Sequence, residues 1–494
     1  MTKKILNSGV ILNVIGTLLI INGILMLFSL PFSFYYQQDI DAKVYNDILI
    51  SSGITLLVGS LMRFFTREYK NAEIRKRDGY LIVVGGWMCM SLFGCLPFIL
   101  SGSIPSFTNA FFETMSGFTT TGSSILDDIE SLPRAILFWR SMTQWIGGMG
   151  IIVLTIAILP LLGIGGMELF VAEAPGPTKD KIHPRIKETA KRLWLIYLFL
   201  TILETILLMC CGLDFFDAIN HSMTTTSTGG FSTKQESIAA FNNWYVEGVI
   251  IAFMLLAGTN FTLIYFGLKL KLKKIFHNDE FKWYLMAVIG LTLFISSVLY
   301  MQQPYTLSFI EGFRAVSFQV ASIITTTGFS SSDYTLWGPF ITFLFFLFLF
   351  SGASAGSTSG GIKIVRIVLL MKNGFLEFKR RLHPKAIIPV QLNKESVSST
   401  IIYNLLAFIF LYLFIFTFGA LFMTALGVDF LTSISSVASA LSNVGPGIEN
   451  VGPSHSYSSL PEAAKWLLSL LMLMGRLELF TVAVLFTPHF WKRN

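Results

Sequence analysis

Residues 119–122 read Thr-Thr-Thr-Gly, and the same kind of turn recurs as Ser227-Thr228-Gly229-Gly230, Thr325-Thr326-Thr327-Gly328 and Ser442-Asn443-Val444-Gly445. Aligning the chain on Gly122, Gly230, Gly328 and Gly445 places a hydroxyl residue three positions earlier in each copy: Thr119, Ser227, Thr325 and Ser442. Six positions earlier stands another hydroxyl: Ser116, Thr224, Ser322 and Ser439. Fifteen positions earlier every copy has Phe: Phe107, Phe215, Phe313 and Phe430. Sixteen positions earlier come Ser106, Asp214, Gly312 and Asp429, all acceptable helix N-caps. Phe is common here, 46 of 494 residues. A fourfold match at one chosen offset still has a chance on the order of 10⁻⁴, or about 10⁻³ over some twenty offsets, and the hydroxyl matches lower it further, so the repeat is real.

About ten residues separate each cap from its turn. Such a helix is too short to span a bilayer, which takes roughly 20 apolar residues. Each unit therefore reads as helix, short capped helix, polar turn, helix. Composition sets the medium. Hydrophobic residues make up 53% and charged residues 13%, against roughly 25% charged in an ordinary soluble protein, and mean hydropathy is +0.66. The chain is an all-α integral membrane protein. Cys89, Cys95, Cys210 and Cys211 all fall in apolar segments and form no metal or disulfide pattern.

Apolar stretches of spanning length begin near Val10, Asp47, Gly79, Arg134, Arg192, Asn243, Phe281, Trp337, Ile401 and Ala464, giving ten crossings. Basic clusters at Lys3 and Lys4, Arg63 to Arg77, Lys179 to Arg192, Lys269 to Lys274, Lys379 to Lys394, and Lys492 with Arg493 then fall on one side, the cytoplasmic one. Both termini are expected there. The other side carries Asp39, Asp41, Asp127, Asp128, Glu130, Asp333 and Glu449, read either as ordinary solvation or as a mouth that concentrates cations. The division expected is a two-helix extension (1–78), then four pore repeats at 79–191, 192–280, 281–399 and 400–494.

Polar turns at membrane depth are tolerated only where protein buries them or where they line a watery cavity. Four re-entrant turns about one axis make a pore. None of the turns contains an ionisable group, so a selective site there coordinates through carbonyl and hydroxyl oxygens, which suits a dehydrated monovalent cation. Glycine supplies positive φ, and the short helices direct their negative C-terminal ends at the ion. The candidate filter is thus Thr119, Thr120, Thr121, Gly122, Ser227, Thr228, Gly229, Gly230, Thr325, Thr326, Thr327, Gly328, Ser442, Asn443, Val444 and Gly445.

The segments Phe118-Thr119-Thr120-Thr121-Gly122-Ser123, Gly229-Gly230-Phe231-Ser232-Thr233, Thr325-Thr326-Thr327-Gly328-Phe329 and Ser442-Asn443-Val444-Gly445-Pro446-Gly447 resemble the four filter loops of the Trk/Ktr/HKT potassium transporters. Gln144-Trp145-Ile146-Gly147-Gly148-Met149-Gly150 and Gly475-Arg476-Leu477-Glu478 are also similar to family motifs. The two extra N-terminal helices favour the TrkH branch. The resemblance implies K⁺ as substrate, held at filter carbonyls, in a homodimer of the cell (cytoplasmic) inner membrane with one pore per subunit. It further implies control by a cytosolic TrkA-like ring that carries the nucleotide, with no cofactor in this chain and no nucleic-acid partner. The fourth loop departs from the Thr-rich pattern at Asn443 and Val444, so its coordination is expected to be imperfect.

Gly352 to Gly361 reads Gly-Ala-Ser-Ala-Gly-Ser-Thr-Ser-Gly-Gly at membrane depth. Each interior glycine costs about 1 kcal/mol of helix stability, so unwinding is expected below the third filter. One reading is a small-residue helix-packing face. The other, which the family resemblance also implies, is a mobile loop obstructing the pore, with Gly352, Gly356, Ser357, Thr358, Ser359, Gly360, Gly361 and Lys363 as gate residues. Arg476 lies mid-membrane in the last crossing, at the same offset from its filter glycine as Ser359 has from Gly328. It either sets a positive charge under the filter and helps hold the loop, or pairs with a carboxylate such as Glu113 to fix helices. Lys363, Arg366 and the basic run Lys379 to Lys385 could couple the loop to a cytosolic partner.

The six histidines His183, His221, His277, His383, His455 and His489 lie outside the spanning cores or near their ends, and no catalytic motif is present. An enzyme is excluded on that basis. A proton- or sodium-coupled symporter is the alternative transporter reading, although the repeats are parallel and the filters lack carboxylates.

Overall fold

The computed structural model describes residues 6–35, 42–70, 72, 74–153, 182–302 and 308–492. Lys3, Lys4, Asp39, Asp41, Lys179 and Arg493 lie outside the described residues. The fold is helical; among the described residues a two-residue hairpin is the one sheet.

The N-terminal pair α1 (Ser8–Met26) and α2 (Ala42–Phe65) packs through glycine. A Cβ added at Gly16 would stand 2.8 Å from the Gly59 carbonyl oxygen, and one at Gly59 the same distance from that of Gly16. This close backbone approach is what small residues allow in a lipid environment.

Four units follow. The first holds α3 (Lys76–Gly94), α4 (Phe107–Phe118) and α5 (Arg134–Val153). In the second, α6 (Ile182–Cys210) and α7 (Phe215–Thr226) precede α8 (Trp244–Ala257), which bends by 109° into α9 (Phe261–Leu268). The third has α10 (Asp279–Gln302), α11 (Phe309–Ile324), α12 (Pro339–Phe348), an unwound stretch, α13 (Ile364–Leu382) and the hairpin β1 (Gln391–Leu392) and β2 (Glu395–Ser396). The fourth has α14 (Ser399–Ala425), α15 (Phe430–Ser442) and α16 (Glu462–Arg476). A 118° bend then leads to α17 (Leu479–Ala483). Of the ten apolar stretches, six are single helices of spanning length and apolarity and two are these bent pairs. The stretch near Trp337 is interrupted after Phe348, and α5 runs to the edge of the described residues.

Local chemistry explains the short helices. The Ser106 side chain accepts from the Asn109 N–H, Asp214 from Asp217 and Asp429 from Thr432, as the alignment expects. The third cap differs. It is Ser308, four residues before the expected Gly312, and it forms a reciprocal capping box with Glu311. Glycine has no side chain to compete with that pair. The third short helix is consequently 16 residues long, against 12, 12 and 13 in the others. Phe309 opens it, and Phe313 sits one turn in. Phe107, Phe215, Phe313 and Phe430 are all exposed, as are Phe410, Phe414 and Phe418 spaced four apart on α14. The abundant Phe therefore coats the face that lipid would meet.

Candidate ion pathway

The four turns share one backbone conformation. Thr120, Thr228, Thr326 and Asn443, each two residues before its glycine, have φ of 51°, 54°, 55° and 53°. Left-handed backbone is unusual for non-glycine residues and costs on the order of 1–3 kcal/mol each. Its recurrence at one register position in all four copies is a property of the unit. The next residue donates its N–H to the carbonyl five positions earlier in every copy: Thr121 to Ser116 (2.8 Å), Gly229 to Thr224 (2.8 Å), Thr327 to Ser322 (2.8 Å) and Val444 to Ser439 (3.1 Å). Gly122, Gly230, Gly328 and Gly445 follow at φ 86°, 78°, 81° and 105°.

These glycines close a ring. A Cβ at Gly122 would stand 2.2 Å from the Gly229 carbonyl oxygen, at Gly230 1.9 Å from that of Thr327, at Gly328 2.0 Å from that of Val444, and at Gly445 2.8 Å from that of Thr121. Each loop thus abuts the next, and the fourth returns to the first. No side chain can enter at the first three of these contacts.

The ring has two kinds of member. In loops one and three, hydroxyls pair at 2.8 Å, Thr119 with Thr121 and Thr325 with Thr327. Loops two and four have Gly229 and Val444 at the second of these positions, so they lack that hydroxyl. Neighbouring elements brace them instead. Gln144 of α5 donates to the Gly229 carbonyl (2.6 Å) and accepts from the Phe231 N–H (3.0 Å). Asn443 donates to the Thr121 hydroxyl and the Met472 carbonyl, both at 2.9 Å. The Gly445 carbonyl accepts from Ser123 (3.1 Å), Ser439 (2.8 Å) and Tyr457 (2.7 Å).

A buried ion pair lies behind loops one and two. Arg140 Nε donates to Glu113 at 2.7 Å, with the side chains 2% and 0% exposed. The Glu113 carboxylate also accepts from the Ser124 hydroxyl and the Ile125 N–H, both at 2.9 Å. Arg140 reaches the Ser232 carbonyl (2.9 Å) and covers the Phe231 ring at 3.6 Å. One pair therefore clamps the segments that leave both turns. Glu113 is thus not the partner of Arg476.

Above the ring is a cavity whose lining includes Arg140, Lys234 and His455, and no carboxylate. Four acidic residues of this face have side-chain partners. Asp128 accepts from Ser131, Asp333 from Thr335, and Glu130 pairs with Lys234; Asp127 accepts from Ser456 and Ser458.

Below the ring, residues 352–361 are not helical. The stretch folds back on itself: Ser351 bridges Ile362, and the Gly352 N–H meets the Ile362 carbonyl at 2.9 Å. Its tip touches three units. The Gly360 N–H donates to the Thr326 hydroxyl at 2.7 Å, and a Cβ on Gly360 would stand 2.2 Å from the Ser442 carbonyl oxygen. The Thr358 hydroxyl is shared between the carbonyls of Thr226 (3.1 Å) and Ala257 (3.2 Å). Ser357 and Ser359 hydroxyls pair at 2.8 Å, Lys363 Nζ binds Ser359, and Gly356 accepts from the Phe261 N–H at the α8–α9 break. A continuous helix-packing face is not what these residues form.

Arg476 ends α16, 3% exposed, with its guanidinium on the carbonyls of Thr358 (2.6 Å) and Gly147 (3.3 Å). The equal offsets in units three and four do bring Arg476 and the loop together. Just past them, Arg366 grips both carboxylate oxygens of Glu478 at 2.8 and 2.9 Å, and Glu478 itself has φ 68°. Arg366 is a candidate from the sequence, whereas Glu478 as its partner is not; nor is Glu280 of α10, which accepts the Ala355 N–H of the loop at 2.6 Å. Neither pairing has a short-range signal.

The family model described as TrkH, cation transport protein, matches residues 45–493. The chain is 40% identical over 486 residues to the Trk system potassium uptake protein TrkH of Halomonas elongata, covering 98% of this chain and 99% of that protein. It is 41% identical over 442 residues to the protein of the same name from Escherichia coli K12, covering 89% and 91% respectively. The crystal structure of the potassium transporter TrkH from Vibrio parahaemolyticus superposes with a TM-score of 0.89 at 36% identity, covering 98% of this chain and 100% of that one.

Proposed function

The chain belongs to the TrkH family of cation transport proteins, and from that premise we propose that it takes up K⁺ through the pore ringed by its four turns. It is a membrane transporter and not an enzyme. Potassium uptake is the activity its relatives are named for. The filter is assigned to residues 119–122, 227–230, 325–328 and 442–445, with backbone and hydroxyl oxygens replacing the hydration shell of the ion. The observation that carries the reading is the closed ring of glycine-to-carbonyl contacts, which joins four uncharged turns around one axis.

Gating is assigned to residues 352–361 with Lys363 and Arg476. Three units contribute groups that hold the loop beneath the ring, so permeation requires it to leave. The relatives' name, Trk system, speaks of several components. A cytosolic TrkA-like nucleotide-binding ring acting on a homodimer, with both termini on the cytoplasmic side of the inner membrane, completes the proposal.

The test is ⁸⁶Rb⁺ flux in proteoliposomes with K⁺ gradient and membrane potential set independently, against Na⁺, with and without a cytosolic partner. Flux driven by the K⁺ gradient and potential alone supports the channel-like reading. Flux that demands a proton or Na⁺ gradient overturns it.

A further inference from the structure

The intramembrane loop has a handle on the face opposite its tip. Ala355 lies in unwound backbone, where a buried N–H needs an acceptor. The acceptor is the Glu280 carboxylate at 2.6 Å, 7% exposed and in the first turn of α10, where a helix favours negative charge. Bonds to a charged acceptor are the stronger kind.

The residue before it is locked to the hairpin. The Asp279 N–H donates to Asn393 Oδ1 (2.7 Å), and the Asn393 N–H returns a bond to Asp279 Oδ2 (2.9 Å). Lys372 of α13 spans Asp279 (3.5 Å) and the Gln391 carbonyl (3.0 Å). Asn393 and Lys394 have φ 50° and 69°, the two-residue turn that favours Asn. On its inner side the hairpin buries Leu392 in a cluster with Val365 and Leu369 of α13, and Ala355 packs against that same cluster. Its outer rim, Gln391, Lys394 and Glu395, is exposed.

We propose that Glu280, positioned by the hairpin through Asp279, is a latch that keeps the loop seated, so that displacing the hairpin releases the gate. Glu280 is a positioning residue acting through Ala355. The proposal rests on the gate reading above. It assigns the hairpin rim as the place where a load on the cytoplasmic face reaches the loop.

The experiment compares partner-free ⁸⁶Rb⁺ flux and the Rb⁺/Na⁺ flux ratio in proteoliposomes for six proteins: native, Glu280→Ala, Glu280→Gln, Asn393→Gly, a deletion within Gly352–Gly361, and that deletion combined with Glu280→Ala. Glu280→Ala is expected to raise flux about tenfold at an unchanged Rb⁺/Na⁺ ratio. Glu280→Gln, which keeps an acceptor, falls between native and Ala. Asn393→Gly keeps the turn, loses one tie to Asp279 and rises less than Glu280→Ala. Adding Glu280→Ala to the loop deletion gives no further increase. If the deletion raises flux while neither Glu280→Ala nor Asn393→Gly does, the latch is wrong and the gate stands. A deletion that leaves flux unchanged removes both. A changed Rb⁺/Na⁺ ratio in Glu280→Ala shows disturbance of the pore itself and also overturns the latch. Asn393→Gly keeps the test open should Glu280→Ala not fold.

Discussion

Arg476 holds the Thr358 carbonyl at 2.6 Å, joining residues 118 positions apart across the underside of the ring. One guanidinium thereby does two things. It sets a cation below four neutral turns, and it ties the loop to the last inner helix. On the proposed gating role, in which both effects oppose permeation, Arg476→Ala should raise ⁸⁶Rb⁺ flux at fixed gradient. Arg476→Lys keeps the charge but has one nitrogen for the two carbonyls, so it should fall between. Flux unchanged or lower in monodisperse Arg476→Ala protein would sink this role.

Gly328 and Gly290 predict opposite outcomes for one methyl group. At Gly328 the backbone is at φ 81° and the Val444 oxygen stands 2.0 Å from an added Cβ. Gly328→Ala should abolish K⁺ flux or lower the yield of folded protein. Gly290 lies within α10 with nothing within 4 Å, and Gly290→Ala should keep flux and gain up to about 1 kcal/mol in helix propensity. Equal melting temperatures and equal flux for the two variants would contradict the ring.

Glu113 and Arg140 are buried charges that need each other. Removing one partner of such a pair costs roughly 3–5 kcal/mol, whereas replacing both with apolar groups costs far less. Glu113→Gln should therefore melt well below native in detergent. It should also lose discrimination against Na⁺, because the pair holds the exits of loops one and two together. Glu113→Leu with Arg140→Met should recover much of the stability but not the discrimination. A double variant no better than the single one would argue against the pair as the clamp.

One Arg366 nitrogen bridges both Glu478 oxygens, and Arg366 also covers the Phe408 ring at 4.2 Å. A double-mutant cycle with Arg366→Gln and Glu478→Gln should return a coupling of about 1–2 kcal/mol in thermal stability. Strict additivity would show the contact to be energetically idle. Raised partner-free flux in either single variant would place the bridge among the restraints on α13.

The short-range signals were the readable ones. Ser106, Asp214 and Asp429 act as caps because an N-cap depends on neighbours three residues away, and the four turns recur because their hydrogen bonds span five residues. The third cap is Ser308 and not Gly312 because the Ser308–Glu311 box, itself legible in the sequence, satisfies the helix start where a glycine has no side chain to do so. Arg140 with Glu113, Glu478 with Arg366, and Glu280 with Ala355 were out of reach. Each joins distant segments through a geometry that exists only once the units are arranged. The bends at residues 258–260 and 477–478 were similarly hidden. Asn260 caps α9 by accepting from the Thr262 N–H, but an Asn inside an apolar run reads equally well as a packed polar residue.

The ring also dictates an order of assembly. Gly445 accepts from Ser123 across 322 positions, so the contact that closes the circle joins one of the earliest turns made to the last. A nascent chain that has emerged only through its third unit leaves one flank of loop one and one flank of loop three without the neighbour that the fourth unit supplies. Those turns gain their full support only when Asn443 and Gly445 arrive. The structure is thus an arch that stands on its final stone, and a chain stopped before residue 445 should be handled by the cell as unfinished rather than as a three-quarter transporter.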